Sequence, residues 1–549
     1  MRARFASRPP LYPMSSEVSA LNRRSVTTST EWIALCVFML VIFVLWQTTY
    51  ISWKPVPGNN PEYPLGWWGW FDQGNYLRSA KAILDWNLDP AEYYYPPLYP
   101  LIGAAFIQLF PYHAFYFVDL AATLGFFLLF VFTTRRHIGF WPAAIIGFTF
   151  IAVFNVVRLQ WVIPWTSSVS AVLVGASLLL LDRYDRARRD GRWDGRAHIL
   201  NAYLFGLVCG LQLPLRPGDI VLMAPVALGY GVLVAIDLFA GDPIRRRHAV
   251  YAAVAGVLGL VPGAVIMFGF NLLVFGDLLG GYFALSVSRG FYFGDFFEKL
   301  FSLVVASHPL YLERGADWLT ELPINALCLG FVPAAALFAR PLVFRLTAVA
   351  AMFQIVLYFS YGDALPTGTF RYNNIHYFKW LLPWIVAFAA YFVYHAVAAT
   401  GAARTRARVG LATGIALSLL LFSVNVDPQA RPAEVAVTGE GGVVLTFPEG
   451  PPLEYIDFDG TPADWTDVYF ENWAVVRVDG GAPLDNYGEY RMFPRDGGIR
   501  LLFIRPVDPT TVSVEFGVAM TREAPLDAAS VHPVSARFLL DLPFASHWR

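Results

Sequence analysis

Along the chain, apolar runs of about 20 residues alternate with short polar stretches rich in arginine, the pattern of a chain that crosses a bilayer many times. The runs predict spans at 32–50, 114–133, 140–157, 166–181, 199–213, 220–240, 250–273, 323–338, 346–361, 376–397 and 410–425. One more run, 98–110, is apolar but bounded by Pro96, Pro97 and Pro111. As a helix it would reach only about 20 Å, against a hydrocarbon core of about 30 Å, so it is expected to lie along the interface. From Val426 onward the period shortens to two. Short strands such as "VVLTF", "AVVRV", "RLLFI", "VSVEF" and "ARFLL" stand between turns at "TGEGG", "DFDGTP" and "RVDGGAP", which predicts a β-sandwich-like domain.

Composition agrees with a membrane protein. The 549 residues are 56% hydrophobic and 15% charged, where a soluble domain carries about a quarter charged residues. The formal net charge of −1 gives no sign of a nucleic-acid surface. Cys36, Cys209 and Cys328 all sit in apolar runs and read as small hydrophobes rather than a disulfide framework or a zinc site.

Charge sorting sets the orientation. Arg2, Arg4, Arg8, Arg23 and Arg24 precede the first run, which has no cleavage site after it; it reads as an uncleaved span with a cytoplasmic tail. If 98–110 does not cross, Arg135 and Arg136, the group from Arg183 to Arg196, Arg245 to Arg247, Arg340 and Arg345, and Arg404 to Arg408 all share the tail's side. If it did cross, the loops after it would break the positive-inside rule. The fold class expected is therefore an α-helical polytopic membrane protein of about eleven spans, N-terminus in and C-terminus out, with interfacial helices in the first outer loop. The chain divides into a basic tail (1–30), a membrane domain (31–425, with its first outer loop at 51–113) and an extracytoplasmic β-rich domain (426–549).

On the outer face basic residues are few: Arg158, Arg216 in "PLRPGD", Arg289, Lys299, and Arg371, His376 and Lys379 in "RYNNIHYFKW". Each either snorkels, pairs with an acid such as Asp219, Asp277 or Asp363, or joins the others around an anionic headgroup, for which arginine's planar donors suit phosphate. Asp72 ends an aromatic run and opens a short amphipathic helix, "QGNYLRSAKAIL". It is an N-cap, a general base at the water–lipid boundary, or both. Tyr93, Tyr94 and Tyr95 are interfacial anchors or a sugar-stacking wall. Asp119 is expected buried opposite an outer-face cation, and His308 and Glu313 are expected to be ordinary polar loop residues. "DFDG" at 457–460 reads as a turn rather than a calcium loop. No phosphate-cradling glycine loop and no familiar metal-ligand spacing is present.

The acid before a short helix, then "YPPLYPLI" (95–102), "LRPGDIVLMAP" (215–225), "NLLVFGDLLGGY" (271–282) and "RYNNIHYFKWLLPW" (371–384), in that order, resemble the C-type (GT-C) membrane glycosyltransferases. The similarity is to bacterial relatives of protein O-mannosyltransferases and lipid A aminoarabinose transferases, and it covers 32–424. It implies a polyprenyl-phosphate-linked sugar as donor, transfer with inversion at the outer face of a bacterial inner membrane, and a glycolipid, glycan or protein acceptor on the periplasmic side. It places the catalytic base at Asp72, donor-phosphate binding at Arg216, Arg371, His376 and Lys379, and acceptor or sugar contacts at Tyr76 and Tyr95. The sequence departs from the family where Gln73 follows Asp72, where Tyr95 replaces a histidine, and where "RLQWVIPW" (158–165) lacks a second acid. No metal ligand is assigned, and a divalent metal stays open as a cofactor. A carrier or flippase of a lipid-linked sugar, or an inactive glycan-binding relative, are the alternatives.

Overall fold

The computed structural model describes residues 28–52, 71–111, 113–191, 195–283, 296–305, 317–360, 369–370, 373–438, 442–459, 474–485, 489–495, 498–516 and 528–540. Its first part is helical: α1 (Ser29–Ser52), α2 (Phe71–Leu84), α3 (Leu98–Ile107), α4 (Tyr116–Ile138), α5 (Phe140–Phe148), α6 (Asn155–Val162), α7 (Thr166–Arg189), α8 (Gly195–Leu215), α9 (Asp219–Leu238) and α10 (Pro243–Phe275). After these come α11 (Phe296–Val304), α12 (Trp318–Glu321), α13 (Pro323–Cys328), α14 (Phe331–Phe338), α15 (Leu342–Ser360), α16 (Leu381–Ala398) and α17 (Gly401–Leu421).

Each expected span has a helix, but the helices are not equal. Among the described residues eight (α1, α4, α7, α8, α9, α10, α15, α16) are long and apolar enough to cross a membrane, or nine if α5 and α6, bent by 75° at their junction, form one span. The expected count of eleven also included 323–338, which is broken between α13 and α14, and 410–425, where α17 starts earlier and takes in Arg404, Arg406 and Arg408. The tenth span starts at Leu381 rather than His376, because Asn373 adopts a left-handed conformation (φ 60°) and a 3-10 turn, Asn374–Tyr377, intervenes. Asparagine tolerates that region better than most residues. α3 is a helix of 10 residues, about 15 Å long and too short to cross.

The arginine-bearing loops meet at one end of the bundle. Arg188 donates to Asp237 at 2.7 Å, as does Arg245 Nε at 2.7 Å. Arg186 pairs with Asp182 at 2.9 Å and Arg189 with Asp185 at 2.5 Å. The His395 ring lies 3.0 Å from the His137 carbonyl, and Arg406 donates to the Phe338 carbonyl at 2.9 Å. Glu31 at the start of α1 acts electrostatically on Arg135, so the chain enters at this same end.

α8 and α10 pack backbone to backbone. A Cβ on Gly206 would lie 2.0 Å from the Gly256 carbonyl oxygen, and one on Gly263 2.0 Å from that of Gly210, so only glycine admits this approach, as in small-residue helix pairs of membrane proteins. Cys209 and Cys328 are part-buried, while Cys36 is exposed on α1; all three are free thiols. Cys36 therefore departs from the buried position expected of it: it lies on a helix face that looks away from the bundle.

The chain turns to strands at Val424. β1 (Val424–Ala430), β2 (Glu434–Thr438), β3 (Gly442–Thr446), β4 (Leu453–Asp459), β5 (Ala474–Val478), β6 (Tyr490–Arg495), β7 (Gly498–Val507), β8 (Thr511–Phe516) and β9 (Val531–Leu540) form two antiparallel sheets, ordered β1-β9-β4-β7-β6 and β2-β3-β8-β5. Alternation along β4 and β7 sends Ile456, Phe458, Ile499 and Leu501 into the core of the sandwich, and Tyr455 and Leu502 to the other face, where they join the hydrophobic core of the helical part. "DFD" is thus the end of a strand rather than a turn. Asp457 takes two bonds from Arg500, at 2.6 and 2.8 Å, and Asp459 faces His532 at 2.9 Å; Gly460 lies outside the described residues.

Candidate functional site

At the end of the bundle opposite the arginine clusters, α2 runs beneath the chain that leads to α3. Its buried positions Gln73, Tyr76, Leu77 and Ala80 follow helical spacing. Ser79 donates to the Glu92 carbonyl at 2.8 Å, and Tyr93 to the Asn87 carbonyl at 2.5 Å, which ties the loop back onto the helix. Asp72 lies in the first turn of α2, which starts at Phe71, close to the N-cap position expected from sequence. The phenol of Tyr95 donates to Asp72 Oδ1. Tyr95 is held by rings on three sides: Tyr76 and Tyr94 at 4.8 Å each and Tyr282 at 5.8 Å. Tyr76 is 3% exposed and also packs on Tyr99 and Phe115, so its ring is occupied by protein contacts.

The second part of the site is the turn between α8 and α9. Arg216 pairs with Asp219 at 3.0 Å and donates to Tyr358 at 2.7 Å and, more weakly, to Thr166 at 3.4 Å. Its guanidinium lies 5.0 Å from the centre of the Tyr377 ring. Asp219 in turn accepts from Ser170 at 2.5 Å and Tyr358 at 2.8 Å. Burial opposes the charge of Arg216, but Asp219 together with Tyr358, Tyr377 and Tyr282 outweighs it, so the guanidinium holds its proton more tightly than usual. Tyr76 and Tyr282 connect the two parts: Asp72 and Arg216 both act electrostatically on the Tyr76 phenol, which also bonds Thr166, and Tyr282 acts on Tyr76, Tyr95 and Arg216.

The third part is the 3-10 turn before α16. His376 stacks on Trp165 at 4.0 Å, with its Nδ1 3.0 Å from the Ser167 hydroxyl. Burial, then the nearby Arg216 and Lys379, push its proton affinity well below the ordinary range, so it is neutral at neutral pH. Lys379 donates to the Gln160 carbonyl at 2.9 Å and to Ser168 at 2.7 Å, and lies over the Trp161 ring. Burial lowers its proton affinity, against the attraction of Asp119. Asp119, expected opposite an outer-face cation, therefore has Lys379; it also accepts from Tyr99 at 2.8 Å.

Exposure separates the expected phosphate binders. The Arg216 side chain keeps 13% of its surface, whereas Lys379 is 1% and His376 4% exposed. Arg216 can reach a ligand; Lys379 and His376 in this arrangement brace the wall behind it. Arg371, Arg289, His308 and Glu313 lie outside the described residues. Arg158 is held by Thr49 and Asn155 at 2.8 Å each and by the Ala152 carbonyl. Gln73, which follows Asp72, turns away and donates to the Pro164 carbonyl at 3.0 Å.

Comparison with known proteins adds little detail. No protein-family profile matches the chain, and no curated protein does. Among solved structures, the crystal structure of ArnT from Cupriavidus metallidurans bound to undecaprenyl phosphate is similar, with a TM-score of 0.45 and 14% identity over 72% of this chain and 71% of that one. At this score and identity the likeness is a broad one, and the proposal below rests on the residues.

Asp219, Tyr358, Tyr282, Tyr99 and the hydroxyls of Thr166, Ser167 and Ser168 were not assigned to a site from sequence. The run "TSSVS" (166–170) at the head of α7 was the available signal, since four hydroxyls are unusual at the start of an otherwise apolar helix. Among the described residues no group of three or more His, Cys, Asp or Glu is placed to hold a metal ion. Asp119 and Asp219 each face a cation rather than another acid, an arrangement that does not fit a divalent ion between them, and no step below is routed through one.

Proposed function

We propose that the chain is a membrane glycosyltransferase that moves a sugar from a polyprenyl-phosphate donor to an acceptor at the tyrosine-rich end of the bundle, with Asp72 as general base and Arg216 at the donor phosphate. The observation that carries this reading is that Asp72 and Arg216, 144 residues apart by their numbering, are both linked to Tyr76, Asp72 through Tyr95, whose ring packs on Tyr76 at 4.8 Å, and Arg216 through Thr166 at 3.4 Å. An acceptor hydroxyl or amine attacks the anomeric carbon. The bond from that carbon to the phosphate oxygen breaks, the configuration inverts, and the acceptor proton passes to Asp72. The polyprenyl phosphate leaves with one more negative charge than it had as a diester, and a guanidinium at that point offsets it. Lipid linkage supplies the activated bond, so the protein has only to orient, deprotonate and neutralise. With the arginine clusters on the cytoplasmic side, the site and the β-sandwich face the periplasm.

The test uses the full chain in vesicles loaded with a radiolabelled polyprenyl-phosphate sugar and a cell-envelope extract as acceptor. Asp72→Asn is expected to lower transfer by about 10²–10⁴-fold while donor binding stays. Full transfer by that variant would remove Asp72 as the base. Movement of donor across the bilayer with no new glycosidic bond would favour a carrier.

A further inference from the structure

We propose that Tyr95 is the positioning residue of the base: its hydroxyl holds Asp72 Oδ1 and so fixes both the direction of the carboxylate and the pH below which it no longer accepts a proton. The inference rests on the reading of Asp72 given above. Three observations support it. The bond is direct, phenol to carboxylate. Tyr95 cannot swing away, because Tyr76, Tyr94 and Tyr282 pack on its ring and Pro96 and Pro97 follow it. Burial, then Asp72 itself, raise the phenol's proton affinity well above its usual value, so at working pH Tyr95 only donates.

The sign of the effect follows from which state the bond favours. A donor stabilises the ionised carboxylate and lowers the pH at which it takes up a proton. The first-turn position of Asp72 adds a smaller push the same way, through the positive end of the α2 dipole. Among the described residues, the titratable and charged groups gathered around this bond are Tyr76 on the helix of Asp72, and Tyr94 on the loop and Tyr282 after α10, which all pack on Tyr95, with Arg216 beyond Tyr76. Tyr95 donates to Asp72 through a hydroxyl that one substitution, Tyr95→Phe, deletes while leaving the packed ring in place.

The experiment compares Tyr95→Phe with the parent chain in the same vesicles, measuring kcat and KM for the polyprenyl-phosphate sugar from acid to neutral pH. The acid limb of kcat/KM is expected to move up by about one pH unit, the size of a lost hydrogen bond to a charged group. At neutral pH kcat should fall by about tenfold, with KM for the donor within about twofold, as for an interaction felt in the transition state rather than in donor binding. Tyr93→Phe, whose hydroxyl bonds the Asn87 carbonyl, should leave the limb in place and controls for a general loosening of the loop. An unmoved limb in Tyr95→Phe, with or without a lower kcat, overturns the proposal. Because Asp72→Asn is run alongside, its outcome is separable: an active Asp72→Asn sinks the base itself, whereas an inactive Asp72→Asn with an unmoved Tyr95→Phe limb sinks only the role of Tyr95.

Discussion

The two ends of the helical bundle hold aspartates in different ways. At the arginine end Asp182, Asp185 and Asp237 accept from Arg186, Arg189, Arg188 and Arg245. At the opposite end Asp72, Asp119 and Asp219 each accept from a phenol, Tyr95, Tyr99 and Tyr358, and Asp219 also pairs with Arg216 at 3.0 Å. A guanidinium cancels the carboxylate's charge and makes it a poor base; a phenol satisfies a lone pair and leaves the charge in place. The first arrangement fits an anchor, with Asp182 and Asp237 buried and neutralised by guanidinium partners that reach toward solvent. The second costs more to build, since charge stays in a poorly hydrated setting, and is tolerable because Arg216 and Lys379 stand close by. Strain of that sort collects where chemistry is done.

The largest break between the ends is expected at Lys379. Lys379→Met takes the nearby cation from buried Asp119 and the donor from Ser168 and the Gln160 carbonyl, and leaving buried polar groups unpaired costs about 1–3 kcal/mol each. The melting midpoint of the purified chain should drop sharply, and Lys379→Met with Asp119→Asn should recover part of the loss, since the neutral pair strands no charge. A double variant as unstable as the single one would mean that Lys379 acts through Ser168 and the Gln160 carbonyl rather than through Asp119.

His376 gives a pH-dependent contrast. Burial, Arg216 and Lys379 lower its proton affinity in the folded chain, so below the unfolded value of about 6.5 the unfolded chain binds a proton that the folded one refuses. Stability should therefore fall as pH falls from about 6.5, by up to about 1.4 kcal/mol per unit, until the folded histidine titrates. His376→Gln should flatten that slope whatever it does to the midpoint at neutral pH. A slope unchanged by the substitution would place the acid sensitivity elsewhere.

These contrasts also show what a one-dimensional reading can hold. Membrane-spanning apolar runs are contiguous, so α1, α4, α7 to α10, α15 and α16 were legible, and arginine sorting alone put Arg188, Arg245 and Arg406 at the same end. Two-residue alternation announced the sandwich, though not that Tyr455 and Leu502 would join the membrane core. Asp72 stood out because a carboxylate in an aromatic run has few other reasons to be there. Its partner did not: Tyr95 sat among three tyrosines, and nothing local distinguishes a donor from an anchor. Tyr99 and Asp119 are 20 residues apart, Tyr358 and Asp219 139, and a phenol inside an apolar run looks like packing. Pairings of that kind come from how helices cross, which periodicity does not encode.

The smallest effect is expected at the arginine end itself. Arg189 pairs with Asp185 one helical turn away, and its side chain is 54% exposed. Water already solvates the guanidinium, and Arg188 stays near Asp185 when Arg189 is gone, so ordering the pair gains little and salt screens what is gained. Arg189→Ala should shift stability by no more than about 1 kcal/mol, and raising salt to about 1 M should shrink even that, because the screening length falls to about 3 Å. Donor turnover in vesicles should be unchanged, since no part of the site touches this end. A loss comparable to that of Lys379→Met, persisting in high salt, would mean that the arginine end is as tightly coupled as the tyrosine end, and the division of labour between the two would have to be abandoned.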